Sequence, residues 1–460
     1  MKRWLWIAGA GLAASILTVA VVALRPQERW TSASPAAIAE LELGIQAAMK
    51  LYHNEAVGHY TKALELDPDF IAARLMLVDS MMDKQQAKQA LDELRKADLE
   101  RLKPHEQFRV RYTLARRERK TSEAARLLDE YLAAEPKDAW AINYRCIEVF
   151  ARGDWVAAAS CNQELLAVDP NWVLAYNQLG YIEMAQGRFA ESERDFRAYR
   201  YIASDQANPH DSLAELLMLL GRYDEARVEL NEALRIKPDF CESFKKLVLL
   251  EAMAGDPEQA AAATLRAEKS KLCSERDLAA MQCVADSWRR FFAGNWEEVW
   301  RNPLESCIKA GDFLPILTHR AAVLTGRLAE AKEIEDKMSK YLEESPGSPE
   351  PGGELPKAAL AHMEGVRLLA EGDARAAATR LANADEKLAF RGVDQGFFKL
   401  LNQLAMAEAL AAAGEKDQAQ ATLNGVRAVN PSLLERFASA GSMGRAPLPS
   451  LPPHLQSEAR

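Results

Sequence analysis

Several kinds of residue pattern are scarce in this chain, and each shortage excludes something. Val, Ile and Thr clusters are rare beyond the first 24 residues, while Ala, Leu, Glu, Lys, Arg and Gln dominate, so local preference points to helix rather than sheet. Seven histidines (His53, His59, His105, His210, His319, His362 and His454) stand at no metal-ligand or triad spacing, and no glycine-rich phosphate loop follows a strand pattern. No catalytic constellation, metal site or cofactor site emerges, which leaves an enzyme only with groups remote from one another in sequence. Six cysteines contain no CxxC pair, against zinc and thioredoxin-like chemistry. Excess positive charge is also missing. From residue 31 onward 54 basic side chains face 66 acidic ones, a balance of −12, so nucleic acid is not an expected partner.

What the chain has is 48% hydrophobic and 27% charged residues over 460 positions, enough for a sizeable core. One long apolar run exists. Trp4 to Leu24 carries no charge over 21 residues and as a helix would span ~32 Å, close to a bilayer's hydrocarbon thickness. It exceeds a usual signal-peptide core, so an uncleaved anchor is expected, although Val21 and Ala23 would suit a cleavage site. Lys2 and Arg3 place the first three residues in the cytoplasm and the remainder outside the inner membrane, with Arg25 and Arg29 on the far side weighing against that orientation.

The strongest signal is a period of 34 residues. In frames beginning at 37, 71, 105, 139, 173, 207 and 241, the twentieth residue is Ala56, Ala90, Ala124, Ala158, Ser192, Ala226 and Ala260. Two helices crossing at about 8–10 Å admit only small side chains at closest approach. The fifteenth position is Gly153, Gly187, Gly221 and Gly255, suited to a tight inter-helix turn, and Pro68, Pro136, Pro170 and Pro238 close their units. Units at 71 and 105 have Gln85 and Arg119 in place of the turn glycine. After 274 the register slips, but Gly294, Gly326, Gly372 and Gly414 repeat the turn signature, giving about eleven hairpins. The expected organisation is an anchor over 4–24, a main solenoid over 37–344, a non-helical SPGSPEPGGELP linker at 345–356 acting as a hinge, C-terminal hairpins over 357–433 and a Pro-rich, disordered tail over 434–460.

This small-aromatic-small-proline order resembles the tetratricopeptide repeat family, most completely in Leu179, Gly180, Gly187, Phe189, Phe196 and Tyr199 and in Gly221, Tyr223, Ala226, Ala233 and Pro238. The resemblance implies an all-α, right-handed α-solenoid whose first helix in each hairpin lines a concave groove. By that register Trp140, Asn143, Ile147 and Phe150, then Asn177, Tyr181 and Met184, then Asp211, Glu215 and Met218 face the groove, an apolar surface with polar rungs able to hold an extended peptide. The alternative for each apolar member is packing between helices. The residues by which some relatives clamp a C-terminal carboxylate are not matched. A basic run, Arg109, Arg111, Arg116, Arg117, Arg119 and Lys120, is either a solvated helix face or a site for an acidic partner or lipid head groups.

Within the hairpin frame Cys146 lies level with Cys161, Cys241 with Cys273 and Cys283 with Cys307. Each pair is either a disulfide, fitting an oxidising compartment, or two small buried hydrophobes. The stretch from Leu66 to Phe240, including ERLKPHEQFRVRY, also looks like repeat regions of bacterial membrane-bound regulators and receptor kinases. With only Met1 to Arg3 ahead of the anchor, docking is expected rather than output by the chain itself. The expectation is a cell-envelope scaffold for partner proteins; a signal-input subunit for a separate kinase or regulator is the alternative.

Overall fold

The computed structural model describes residues 29–80, 84–301, 315–344 and 354–434. These hold twenty-two α-helices, one short 3-10 helix and no strand. In order they are α1 (Pro35–Met49), α2 (His53–Leu66), α3 (Ile71–Ser80), α4 (Lys84–Leu94), α5 (Pro104–Arg117), α6 (Thr121–Ala134), α7 (Ala139–Ala151), α8 (Trp155–Val168), α9 (Val173–Ala185), α10 (Phe189–Ile202) and α11 (Ala207–Leu219). There follow α12 (Tyr223–Ile236), α13 (Cys241–Met253), α14 (Pro257–Ser270), α15 (Glu275–Ala293), α16 (Trp296–Arg301), α17 (Pro315–Leu324), α18 (Leu328–Glu344), α19 (Glu354–Glu371), α20 (Ala374–Lys387), α21 (Gly392–Ala412) and α22 (Lys416–Val429).

The repeat positions act as expected from sterics. Ala56, Ala124, Ala158, Ser192, Ala226 and Ala260 are buried, and Ala90 is half-buried. The turn glycines 153, 187, 221 and 255 adopt φ between +72° and +76°, a conformation that costs other residues about 1–2 kcal/mol. Arg119 takes the same conformation at φ +59°, so the unit lacking a glycine keeps the tight turn and carries that cost. Gly180 lies so close under Phe196 that an added Cβ would meet the ring at 2.5 Å.

Two compact units divide the chain, one ending at Leu127 and one comprising chiefly Leu128 onward. In the first, Leu75, Leu94, Leu102 and Val110 form an apolar cluster, and Thr31 and Lys103 donate backbone N–H bonds of 3.1 Å to Glu106. In the second, one core runs from Met184 through Leu213, Leu217, Phe244 and Leu250 to Phe397, Leu400, Leu404 and Leu433. The C-terminal hairpins therefore share a core with the middle repeats instead of standing apart behind a hinge. The run at 345–356 also ends sooner than its composition predicts: Glu354, Leu355 and Pro356 form the first turn of α19, where a proline breaks no intrahelical hydrogen bond.

No described helix is long and apolar enough to cross a membrane. The expected anchor at 4–24, the linker at 345–353 and the tail from 435 lie outside the described residues.

Candidate functional site

The predicted groove residues divide into an open wall and a sealed one. On α7 and α9, Trp140 is half-buried and meets Trp172 edge-to-face with ring centroids 5.1 Å apart. Asp138 caps α7, accepting from the Trp140 and Ala141 backbone N–H groups at 2.9 and 3.1 Å. One turn on, Asn143 is only 7% exposed, yet its Oδ1 accepts no hydrogen bond. Asn177, at the same position one repeat later and half-buried, has an equally unpartnered Oδ1, and the buried Trp172 indole Nε1 donates to nothing. Leaving such groups unmatched costs about 1–3 kcal/mol each. Ile147 and Phe150 continue the wall half-buried.

On α11 the same repeat positions are closed, which corrects the expectation of an open groove there. Asp211, Glu215 and Met218 are 2%, 8% and 0% exposed. Asp211 accepts from the Ser243 hydroxyl at 2.7 Å and pairs with Lys246 at 2.5 Å. Lys246 reaches Glu215 at 3.1 Å, and Glu215 also accepts from the Tyr181 hydroxyl and from the Val393 backbone N–H, each at 2.8 Å. Burial pushes the Glu215 carboxyl upward, but the Lys246 charge and these hydrogen bonds outweigh it and hold Glu215 below the usual carboxylate range. At Asp211 burial wins and the carboxyl is raised. Burial also lowers Lys246, but Asp211 and Glu215 together raise it well above the ordinary lysine value. Met184 and Met218 belong to the hydrophobic core rather than to a groove surface. The physical reason lies in the packing of α11, twelve of whose thirteen residues are buried: helices cover it on every side, and its buried carboxylates are held there because Lys246, Ser243, Tyr181 and the Val393 N–H match them.

The cover comes from the C-terminal helices. Arg391 precedes α21, and Gly392, at φ +84°, fits where an added Cβ would lie 2.6 Å from Glu215 Oε1. Phe390 packs edge-to-face on Phe189, and the Arg391 guanidinium lies 5.2 Å from the Phe150 ring centroid and 5.1 Å from that of Trp155. Further on, Asn430 donates to the Leu219 carbonyl at 3.0 Å.

The repeats themselves are recognisable by comparison. Residues 53–109 match one tetratricopeptide repeat model and residues 210–240 another. It is a tetratricopeptide repeat protein. Its described residues form helices and no strand, and tetratricopeptide repeats are protein-interaction modules. Similar solved structures include a tetratricopeptide repeat protein from Parabacteroides merdae, at 17% identity over 59% of this chain and 98% of that one, TM-score 0.41. The APC/C Cut9–Hcn1 hetero-tetramer matches at 14% identity over 88% and 76%, TM-score 0.45. Pseudomonas aeruginosa pilF matches at 17% over 54% and 96%, TM-score 0.28. No curated protein matches significantly.

Elsewhere in this tetratricopeptide protein the predicted basic run is not one surface. Arg109 is 1% exposed, with its guanidinium 5.6 Å from the Trp30 ring centroid. A long side chain on the core-facing stripe of α5 is drawn inward, whereas Arg111, Arg116, Arg117, Arg119 and Lys120 are exposed. Arg117 donates to the Val78 carbonyl at 2.8 Å and Lys120 pairs with Glu118 at 2.9 Å. Disulfides join Cys146 to Cys161 and Cys241 to Cys273, with Cα separations of 5.3 and 5.7 Å. Cys283 lies in α15, while Cys307 is outside the described residues. Two histidines are drawn into the core: His319 meets Glu335 at 2.9 Å and His362 meets Asn402 at 3.0 Å. Among the described residues no group of three or more His, Cys, Asp or Glu is placed to hold a metal.

Sequence reasoning missed Trp172, Lys246 and the Arg391–Val393 turn. The apolar run Leu216–Leu219 at the end of α11 was the available signal that something covers it; nothing local to 207–219 names the cover.

Proposed function

We propose that the protein is a docking scaffold that holds an extended segment of a partner protein along α7 and α9. The observation that carries this is the row of half-buried apolar side chains on α7, Trp140, Ile147 and Phe150, beside the half-buried Asn177 of α9. An extended segment laid on this face would bury its apolar side chains against Trp140, Ile147 and Phe150. Residues 4–24 tether the scaffold to the inner membrane, and the two disulfides suit repeats on the oxidising, extracytoplasmic side, where the scaffold serves assembly of a cell-envelope complex.

The test is site-specific photocross-linking in the native membranes, with the reactive side chain at Ile147 on the open wall or at Val156, 76% exposed on α8. A partner captured from 147 and not from 156, and lost when Trp140→Ala and Asn177→Asp are added, is the expected result. Equal capture from both positions would remove the wall from consideration.

A further inference from the structure

We infer that the docked segment carries an acidic side chain and that Arg391 is the residue that reads it. The inference rests on the docking reading above and adds the chemistry of the occupant.

Three observations support it. Arg391 is held in place by its surroundings. Gly392 and the Val393 N–H are fixed against Glu215, itself fixed by Tyr181 and Lys246, so the turn that carries Arg391 is anchored by a buried network. Its guanidinium lies over both Phe150 and Trp155 at the end of the open wall. A guanidinium stacked on aromatic rings keeps all its N–H donors in its own plane, leaving that edge for a carboxylate. The third observation is the missing anion. Arg222, Arg227, Arg327 and Arg367 each pair with one or more carboxylates, whereas Arg391, half-buried, makes no ion pair among the described residues. In a chain of formal charge −9, a cation placed beside a docking wall without an acidic partner is a specificity element.

The geometry also sets a register. Phe150 lies seven residues beyond Asn143 on α7, about 10 Å along the helix, and an extended chain advances about 3.3 Å per residue. The acidic side chain therefore sits about three residues from the residue that lies level with Asn143.

The test uses the purified full-length chain and a set of nonapeptides, C-terminally amidated and tagged with an uncharged fluorophore, with apolar residues around Glu, Asp, Gln or Asn at each position in turn. Fluorescence anisotropy should show the acidic peptides binding at least ten-fold tighter than their amide isosteres. Arg391→Gln should abolish that preference, with the thermal melt followed by circular dichroism as the control for folding, and Arg391→Lys should restore part of it. Peptides that bind with no acidic preference, or a preference that survives Arg391→Gln, overturn the role of Arg391 and leave the docking wall standing. Absence of binding by every peptide overturns both.

Discussion

Helices α7 and α11 hold the same place in their repeats, yet one leaves Ile147 and Phe150 half-buried while the other is sealed. Positions five, nine and twelve are Asn143, Ile147 and Phe150 in the first and Asp211, Glu215 and Met218 in the second. The more polar of the two sets is the one that lies buried throughout, whereas on α7 only Asn143 is buried. It is tolerated there because Lys246, Ser243, Tyr181 and the Val393 N–H match its carboxylates. The less polar set retains an amide oxygen with no partner. Repeat register thus tells which side of a hairpin a residue occupies, and a contact 178 residues away in sequence decides whether that side is open.

The comparison breaks most readily at Glu215. Removing one member of a buried charge network strands the others, an effect of about 3–5 kcal/mol. Glu215→Ala should lower the urea unfolding free energy by that order, whereas Ile147→Ala, at the same repeat position on the half-buried wall, should cost about 1 kcal/mol. Equal losses would mean that the sealing turn contributes nothing to stability. Gly392→Ala tests the same turn from the other side. Its left-handed φ of +84° and the 2.6 Å approach of a new Cβ to Glu215 predict a loss of about 2 kcal/mol, with Gly187→Ala, whose Cβ meets nothing within 4 Å, costing less.

Acid should act on the sealing helices through His362, which bonds to Asn402 of α21. Burial, opposed only by that hydrogen bond and assisted by Arg320 and His319, lowers its pKa to about 3. The folded value lies below the ordinary 6.5, so the stability it confers is fully present above pH 6.5 and is lost as pH falls from there toward 3. At pH 5 the loss is about 2 kcal/mol. Thermal melts at pH 7 and pH 5 should show it, and His362→Gln should remove that part of the drop; an unchanged drop would assign it to other groups.

Much of this was legible in the chain. The small residue at position twenty and the turn glycines at position fifteen were readable because helix crossings and tight turns impose local steric rules that repeat with the hairpin. Trp140, Asn143, Ile147 and Phe150 were assigned to one face by the register of the family that the repeat resembles. What was not legible depends on contacts distant in sequence. Nothing near Glu215 announces Val393, and nothing near Phe150 announces Arg391, because α21 follows after the register has slipped. Arg109 was misplaced for a different reason: a basic run names charges, and only packing against Trp30 decides that one of them turns inward.

The smallest expected effect is also the one that separates stability from function. Asn143 is buried, and its unmatched oxygen is a standing cost of the folded state. Leucine shares the branched outline of asparagine without the polar atoms, so Asn143→Leu should raise the unfolding free energy by about 1 kcal/mol. If the amide is there to meet a partner's backbone, the same substitution should lose the cross-link captured at position 147. A residue kept only for packing predicts the opposite pairing, with stability unchanged or lowered and capture intact. The two measurements on one variant therefore distinguish an amide retained for docking from an amide that merely fills space between α7 and its neighbours.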